Sequence, residues 1–157
     1  MLHRWARGMG DWLALRGNRP ATARQSGAIP YTMVKGQPVF LIVTSRGTGR
    51  WIYPKGSFIE GLTPWQTAAR EAFEEAGVEG DVEVTPVGMY RTVKRSGLSR
   101  SVVEVDLYPL KVVRQLDEWP EMTQRHRHWV ILPDARRLLS DPQLVELTKL
   151  LARRLSA

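Results

Sequence analysis

The sequence predicts an α+β fold, with helices layered on a mixed β-sheet in an α/β/α arrangement. Three observations lead there. The chain order reads as strands, one helix, more strands and then two terminal helices. The central helix has both of its ends marked by capping residues. The strand segments are apolar, β-branched runs broken by glycine, proline and polar turns.

Taken in order, residues 1–24 stand apart. Leu2, Trp5, Met9 and Trp12 recur at helical spacing, with Arg4, Arg7 and Arg16 around them. Gly8 and Gly10 weaken such a helix. The expectation is a basic N-terminal tail or helix over 1–24, with Asn18–Arg24 as a linker, followed by one domain over 25–157. The tail reads as a helix packed on the domain or a frayed end, or else as a basic helix for a membrane surface or a partner. It lacks the continuous apolar stretch of a secretory signal.

Ala28–Lys35 and Val39–Ser45 read as a hairpin joined through Gly36, Gln37 and Pro38. A turn at Arg46–Gly49 leads to a short strand at Arg50–Tyr53, and a loop with Pro54 and Gly56 follows. Val82–Lys94 and Ser101–Val113 are two longer strand candidates around a turn at Arg95–Ser99. In the second, Val103, Val105 and Leu107 fall on one face, and Glu104 and Asp106 on the other. Leu116–Gln124 reads as a polar loop and His128–Leu132 as a short strand. Pro133–Leu139 and Pro142–Leu155 read as helices, the latter with Asp141 as N-cap.

The chain's 157 residues suffice for one domain with a sizeable core. No run of about 20 apolar residues exists, so no transmembrane segment is expected. The absence of cysteine excludes disulfides, thiolate catalysis and cysteine-ligated zinc, and fits a cytoplasmic location. The net charge is +7, and 18 of the 23 basic residues are arginine. Arginine's planar fork suits phosphate. Much of the excess lies in residues 1–24, which hold five Arg and one Asp. The domain itself is only modestly basic, which makes a dedicated nucleic-acid surface the weaker expectation.

The central helix carries the chemistry. Thr63 is the N-cap, Pro64 the first helical residue, Gln66 completes a capping box and Gly77 closes the end. At about 100° per residue, Trp65, Ala68, Ala69, Ala72, Phe73 and Ala76 form the buried face. Glu71, Glu74 and Glu75 share an exposed edge. Like charges three and four residues apart repel by a few tenths of a kcal/mol per pair. Two of them stand in the last turn, where the helix dipole disfavours anions. Arg70 offsets part of this. A solvated acidic face is one account of the cluster. A bound cation is the better one, and an oxygen-only ligand set points to Mg²⁺ or Mn²⁺.

The stretch Gly56 to Val78 resembles the Nudix box, G-x5-E-x7-R-E-U-x-E-E-x-G-U, where U is aliphatic. Gly56, Arg70, Glu71, Glu74, Glu75 and Gly77 stand in register and Val78 fits the last U. Leu62 replaces the first Glu and Ala72 an aliphatic residue; Glu60 is a possible substitute for the missing Glu. The resemblance implies a Nudix-type α/β/α sandwich around a mixed sheet and hydrolysis of a phosphoanhydride. It also implies that Glu71, Glu74 and Glu75 hold Mg²⁺ or Mn²⁺, one of them serving as base, that Arg70 orients them, and that Gly56 permits a tight loop beneath the site.

Trp51 to Gly56, Trp119-Pro120-Glu121 and Arg125 to Trp129 resemble the branch that hydrolyses diphosphoinositol polyphosphates and diadenosine polyphosphates. On that resemblance Lys55, Gly56, Arg91, Lys94, Arg95, Arg125 and Arg127 are substrate-binding candidates for a small-molecule polyphosphate or nucleotide. Glu118 and Glu121 are candidates for a loop carboxylate that completes the metal site, Glu121 being preferred. His126 and His128 are candidate phosphate donors or surface residues, and Trp119 and Trp129 are packing candidates. Two other readings stay open at this point. One is a nucleotide-binding module without catalysis, motivated by Leu62. The other is an RNA 5′-pyrophosphohydrolase, given slight support by the basic tail.

Overall fold

The computed structural model describes residues 23–156, so the expected helix within 1–24 lies outside the described residues. The elements, in order, are β1 (Ala23–Val34), β2 (Gln37–Thr44), β3 (Trp51–Ile52), β4 (Lys55–Ser57), α1 (Pro64–Ala76), β5 (Val78–Val82), β6 (Gly88–Ser96), β7 (Ser99–Gln115), β8 (Arg127–Ile131), α2 (Leu132–Leu138) and α3 (Pro142–Leu155). The strands form one mixed sheet.

The sheet is organised around β1 and β7, which run parallel from Ala23↔Val103 to Tyr31↔Lys111. The other edge of β1 is shared. Its C-terminal half pairs with β2 through the two-residue turn Lys35-Gly36, where both residues have positive φ. Its N-terminal half pairs with β4, Gln25↔Ser57 to Gly27↔Lys55. The other edge of β7 is likewise divided, between β6 over its first half and β5 over its last residues. β2 also carries β8 and β3.

Three boundaries differ from the sequence reading. β1 starts at Ala23, because its first five residues find partners in β7 and β4, both distant in the chain. Lys55–Ser57, read as loop, is a strand for the same reason. Val82–Lys94, read as one strand, is the end of β5, a connection and most of β6. The connection contains Pro86, which has no N–H for a ladder.

The sheet is covered on both faces. Ala68, Ala72 and Ala76 of α1 pack on Ala28, Leu41, Val43, Val78, Tyr108 and Leu110. Alanine at these positions lets the helix lie close to the strands, which accounts for Ala72 where the motif has a larger residue. On the opposite face Ala135 of α2, together with Leu144, Leu147 and Leu151 of α3, covers Ile29, Phe40, Ile42, Val103, Val105 and Leu107. Adjacent residues Ala28 and Ile29, or Leu41 and Ile42, thus enter opposite cores, as the period of a strand requires. Tyr53 is fully buried and its hydroxyl lies 2.6 Å from Thr148 Oγ1, tying α3 to the chain just after β3.

Both ends of α1 form as expected. Thr63 Oγ1 accepts from Gln66 N, the Gln66 side chain accepts from Thr63 N, and Gly77 takes the left-handed conformation with φ 66°. Because the cap satisfies otherwise orphaned N–H groups, Thr63→Ala is expected to lower the unfolding free energy by about 1 kcal/mol, and Thr63→Ser to retain most of it. Urea denaturation of the two variants beside the parent checks this. An Ala variant as stable as the parent would remove the cap from the account.

Candidate active site at the end of the carboxylate helix

α1 places Glu75 in the interior, 4% exposed. Its Oε2 accepts from the Lys55 backbone N–H at 2.9 Å, and its Oε1 accepts from Arg125 Nη2 at 2.7 Å. Glu71, one turn earlier, lies against Gly56, where a Cβ would overlap its carboxyl group. Glycine at 56 is therefore required by close approach, not by φ. Glu71 accepts no hydrogen bond among the described residues. Glu74 is half-buried on the same edge.

The C-terminal carbonyls of a helix have no partners within it. Gly77 N donates to Ala72 O and Phe73 O. The segment 116–127 satisfies four further carbonyls. Glu121 N donates to Glu74 O (3.0 Å), Trp119 Nε1 to Glu75 O (3.1 Å), Arg127 Nη1 to Ala76 O (3.1 Å) and Leu116 N to Gly77 O (2.8 Å). Arg127 also stacks its guanidinium 3.8 Å from the centre of the Trp119 ring. This docking carries Glu121 to the helix, where Arg125 Nε donates to its Oε1 at 3.1 Å. Arg46 Nε stands 3.8 Å from the same oxygen.

The electrostatics follow from this crowding. Burial, with some help from the Glu71 and Glu121 charges, pushes Glu75 up to about 7, while Arg125 and the Lys55 N–H hold it back. Burial and the neighbouring Glu74 and Glu121 push Glu71 up to about 6. Burial lowers Lys55, although Glu75 beside it favours the ammonium. Lys55 Nζ donates to Gln25 Oε1 at 3.1 Å.

The predicted residues therefore divide. Glu71, Glu75, Glu121, Lys55, Gly56 and Arg125 come together, with Glu74 beside Glu71. Lys94 lies near enough to Lys55 for their charges to repel. Arg91 and Arg95 lie on β6; Arg91 Nε is 3.9 Å from Glu104, and its backbone N–H and carbonyl are both engaged by Gln143. Arg127 is held at the helix end. Arg70 is exposed and lines an open groove of about 470 Å³ with Leu62, Gln66, Ala69, Phe73, Glu79 and Val82. Arg70 forms no hydrogen bond or ion pair with the carboxylates among the described residues. Leu62 sits in this groove too, and Glu60 and Glu118 are exposed. His126 engages Thr44 through its backbone, His128 tilts against Trp51, and Trp129 Nε1 bonds Gln115 Oε1.

Sequence reasoning missed Gln25, Thr44 and Arg46. Thr44 offers its carbonyl to Arg125 at 3.0 Å, and Arg46 Nη1 donates to Gln124 Oε1 at 3.0 Å. Ser26 was also missed. It pairs with Gly56 across the ladder, and its buried Oγ has no hydrogen-bond partner among the described residues. Each belongs to a strand or turn far from the box, and nothing local marks it.

The family model of the NUDIX domain matches residues 23–151. Nudix hydrolase 12, mitochondrial, of Arabidopsis thaliana is 31% identical over 134 residues, covering 72% of this chain and 64% of the relative. The chain thus spans just under two thirds of that protein's length. Diphosphoinositol polyphosphate phosphohydrolase 2 of Rattus norvegicus is 28% identical over 124 residues, covering 78% of this chain and 65% of the relative. Among solved structures, a C. elegans Ap4A hydrolase binary complex superposes with a TM-score of 0.65 at 21% identity, covering 86% of this chain and 98% of that one. That likeness concerns the fold, whose layered sheet and carboxylate helix agree with the match to the family model. The chain belongs to the NUDIX domain family.

Proposed function

We propose that this chain is a divalent-metal-dependent hydrolase of a phosphoanhydride bond in a small polyphosphorylated molecule. A dinucleoside polyphosphate or an inositol pyrophosphate is the favoured substrate class. One observation carries the reading: Glu71 and Glu75 of α1 and Glu121 of the docked loop gather beside Lys55, so a cluster of carboxylates faces a cation suited to phosphate. The names borne by the Rattus and C. elegans relatives support the substrate class.

Among the described residues no three acidic or imidazole side chains stand together closely enough to hold a metal ion as they are. The donors nonetheless fit a hard cation. They are oxygen-only, and Glu71, packed against the bare backbone of Gly56, accepts no hydrogen bond among the described residues. Glu71, Glu74, Glu75 and Glu121 would hold Mg²⁺ or Mn²⁺. When bound, the ion would neutralise phosphate charge and acidify water. In the hydrolysis, water adds to phosphorus, the bridging P–O bond breaks, and a carboxylate takes the proton. Lys55, Lys94, Arg91 and Arg95 would attract the polyphosphate. Arg70 and Arg127 are not needed in this scheme, because one faces the groove and the other caps the helix. Leu62 lies on the groove as well, so the loss of the first motif Glu is compatible with an intact cluster.

Three outcomes test the reading. Glu75→Gln is expected to lower kcat by about 10²–10⁴ with an unchanged circular dichroism spectrum, assayed for product release on diadenosine polyphosphates, an inositol pyrophosphate, ADP-ribose, nucleoside triphosphates and 5′-triphosphate RNA. Normal turnover in that variant would refute the assignment, and tight binding without product would favour a non-catalytic module. EDTA should abolish turnover and excess Mg²⁺ or Mn²⁺ should restore it; activity persisting in EDTA would exclude the metal. The third outcome concerns pH. The folded pKa of Glu75, about 7, lies above its ordinary 4.5. The stability linked to its proton is therefore fully present below about pH 4.5 and lost as pH rises through 7, by about 3 kcal/mol. Metal-free protein should lose melting temperature between about pH 4.5 and 7, and Glu75→Gln should flatten that slope. An identical slope in both proteins would contradict the burial argument.

A further inference from the structure

One guanidinium stands between two of the carboxylates. Arg125 is buried, its side chain 7% exposed. It donates from Nη2 to Glu75 Oε1 at 2.7 Å, from Nε to Glu121 Oε1 at 3.1 Å and from Nη1 to the Thr44 carbonyl at 3.0 Å. These acceptors belong to the last turn of α1, the docked loop and the end of β2. The guanidinium thereby joins the three pieces of chain that meet at the site.

This geometry does not suit a phosphate ligand. An arginine that binds substrate keeps its donor fork open, whereas each nitrogen here already faces an acceptor within the protein. The expected substrate role of Arg125 is therefore replaced. The two carboxylates it occupies, Glu75 and Glu121, are among those that would hold a divalent cation. Fixed charges of the same sign a few ångströms apart repel strongly where water is excluded. A guanidinium and a divalent ion therefore cannot hold the same carboxylate oxygens without cost.

We propose that Arg125 is a built-in counter-ion. It positions Glu75 and Glu121, competes with the divalent cation for their oxygens, and releases at least one of them when the metal enters. The proposal rests on the reading of Glu75 and Glu121 as metal-holding groups. Arg125 is in this sense a positioning residue, since it acts through the two carboxylates.

Mn²⁺ titration of the full chain, followed by the electron paramagnetic resonance signal of the free ion, separates the possibilities. Arg125→Gln is expected to bind Mn²⁺ on the order of tenfold more tightly than the parent, because a competing charge is gone, while its turnover falls. Arg125→Lys keeps the charge and should stay within about threefold of the parent in affinity. Weaker Mn²⁺ binding by Arg125→Gln would mark a purely structural role and overturn the proposal. Glu75→Gln is the control. If it binds Mn²⁺ as the parent does, or if the parent binds none, the metal reading itself fails, whatever the arginine variants do. The parent protein offers a readout that needs no variant to fold. Burial and bonding should protect the Arg125 guanidinium N–H resonances from exchange. Saturating Mg²⁺ should shift them and speed their exchange; resonances left unmoved would overturn the proposal.

Discussion

The last carbonyls of α1 must find donors, and the site depends on how they do so. An α-helix leaves its final carbonyl groups unpaired, and their cost when buried is comparable to that of a lost hydrogen bond. Here the helix ends inside the protein, against the sheet. Gly77 turns back on two of the carbonyls, and Leu116, Trp119, Glu121 and Arg127 supply donors to the next four. A segment some forty residues further along the chain is thereby held to the helix end. That contact brings Glu121 and Arg125 beside Glu71 and Glu75.

The same end of the helix bears its acidic residues, which the dipole and mutual repulsion both disfavour. Arg127 at the terminal carbonyls answers the dipole with positive charge. Arg125 answers the carboxylates directly. The site therefore stores electrostatic tension that a partly compensating guanidinium contains. Burial makes the tension larger, as the raised values of Glu71 and Glu75 express. A site of this kind favours the arrival of further positive charge, which is the physical basis for the proposal that it holds a divalent cation.

The sheet supplies the other half of the site. β1 is paired along both edges, and its division between β2 and β4 brings Lys55 and Gly56 level with Gly27 and Ser26. Lys55 N then reaches Glu75, and the bare backbone of Gly56 admits the Glu71 carboxyl. The alanine face of α1 matters for the same reason. Larger residues at 68, 72 and 76 would lift the helix from the strands and withdraw both carboxylates from the loop beneath.

Local chemistry determined α1 outright. Thr63, Pro64, Gln66 and Gly77 are capping residues whose partners lie within a few positions, and the spacing of Glu71, Glu74 and Glu75 settles which edge they share. The layered class of the fold and the family were legible too, because periodicity and the Gly56 to Val78 motif are properties of neighbouring residues. The start of β1, strand β4 and the break between β5 and β6 were not, since each is set by pairing with a distant segment. The roles of the arginines were likewise hidden. Arg70, next to Glu71 in the motif, faces the groove with Leu62, while Arg125, fifty residues from Glu75, holds it. A side chain's partner depends on where its backbone is carried, and only the docking of the loop on the helix end decided that.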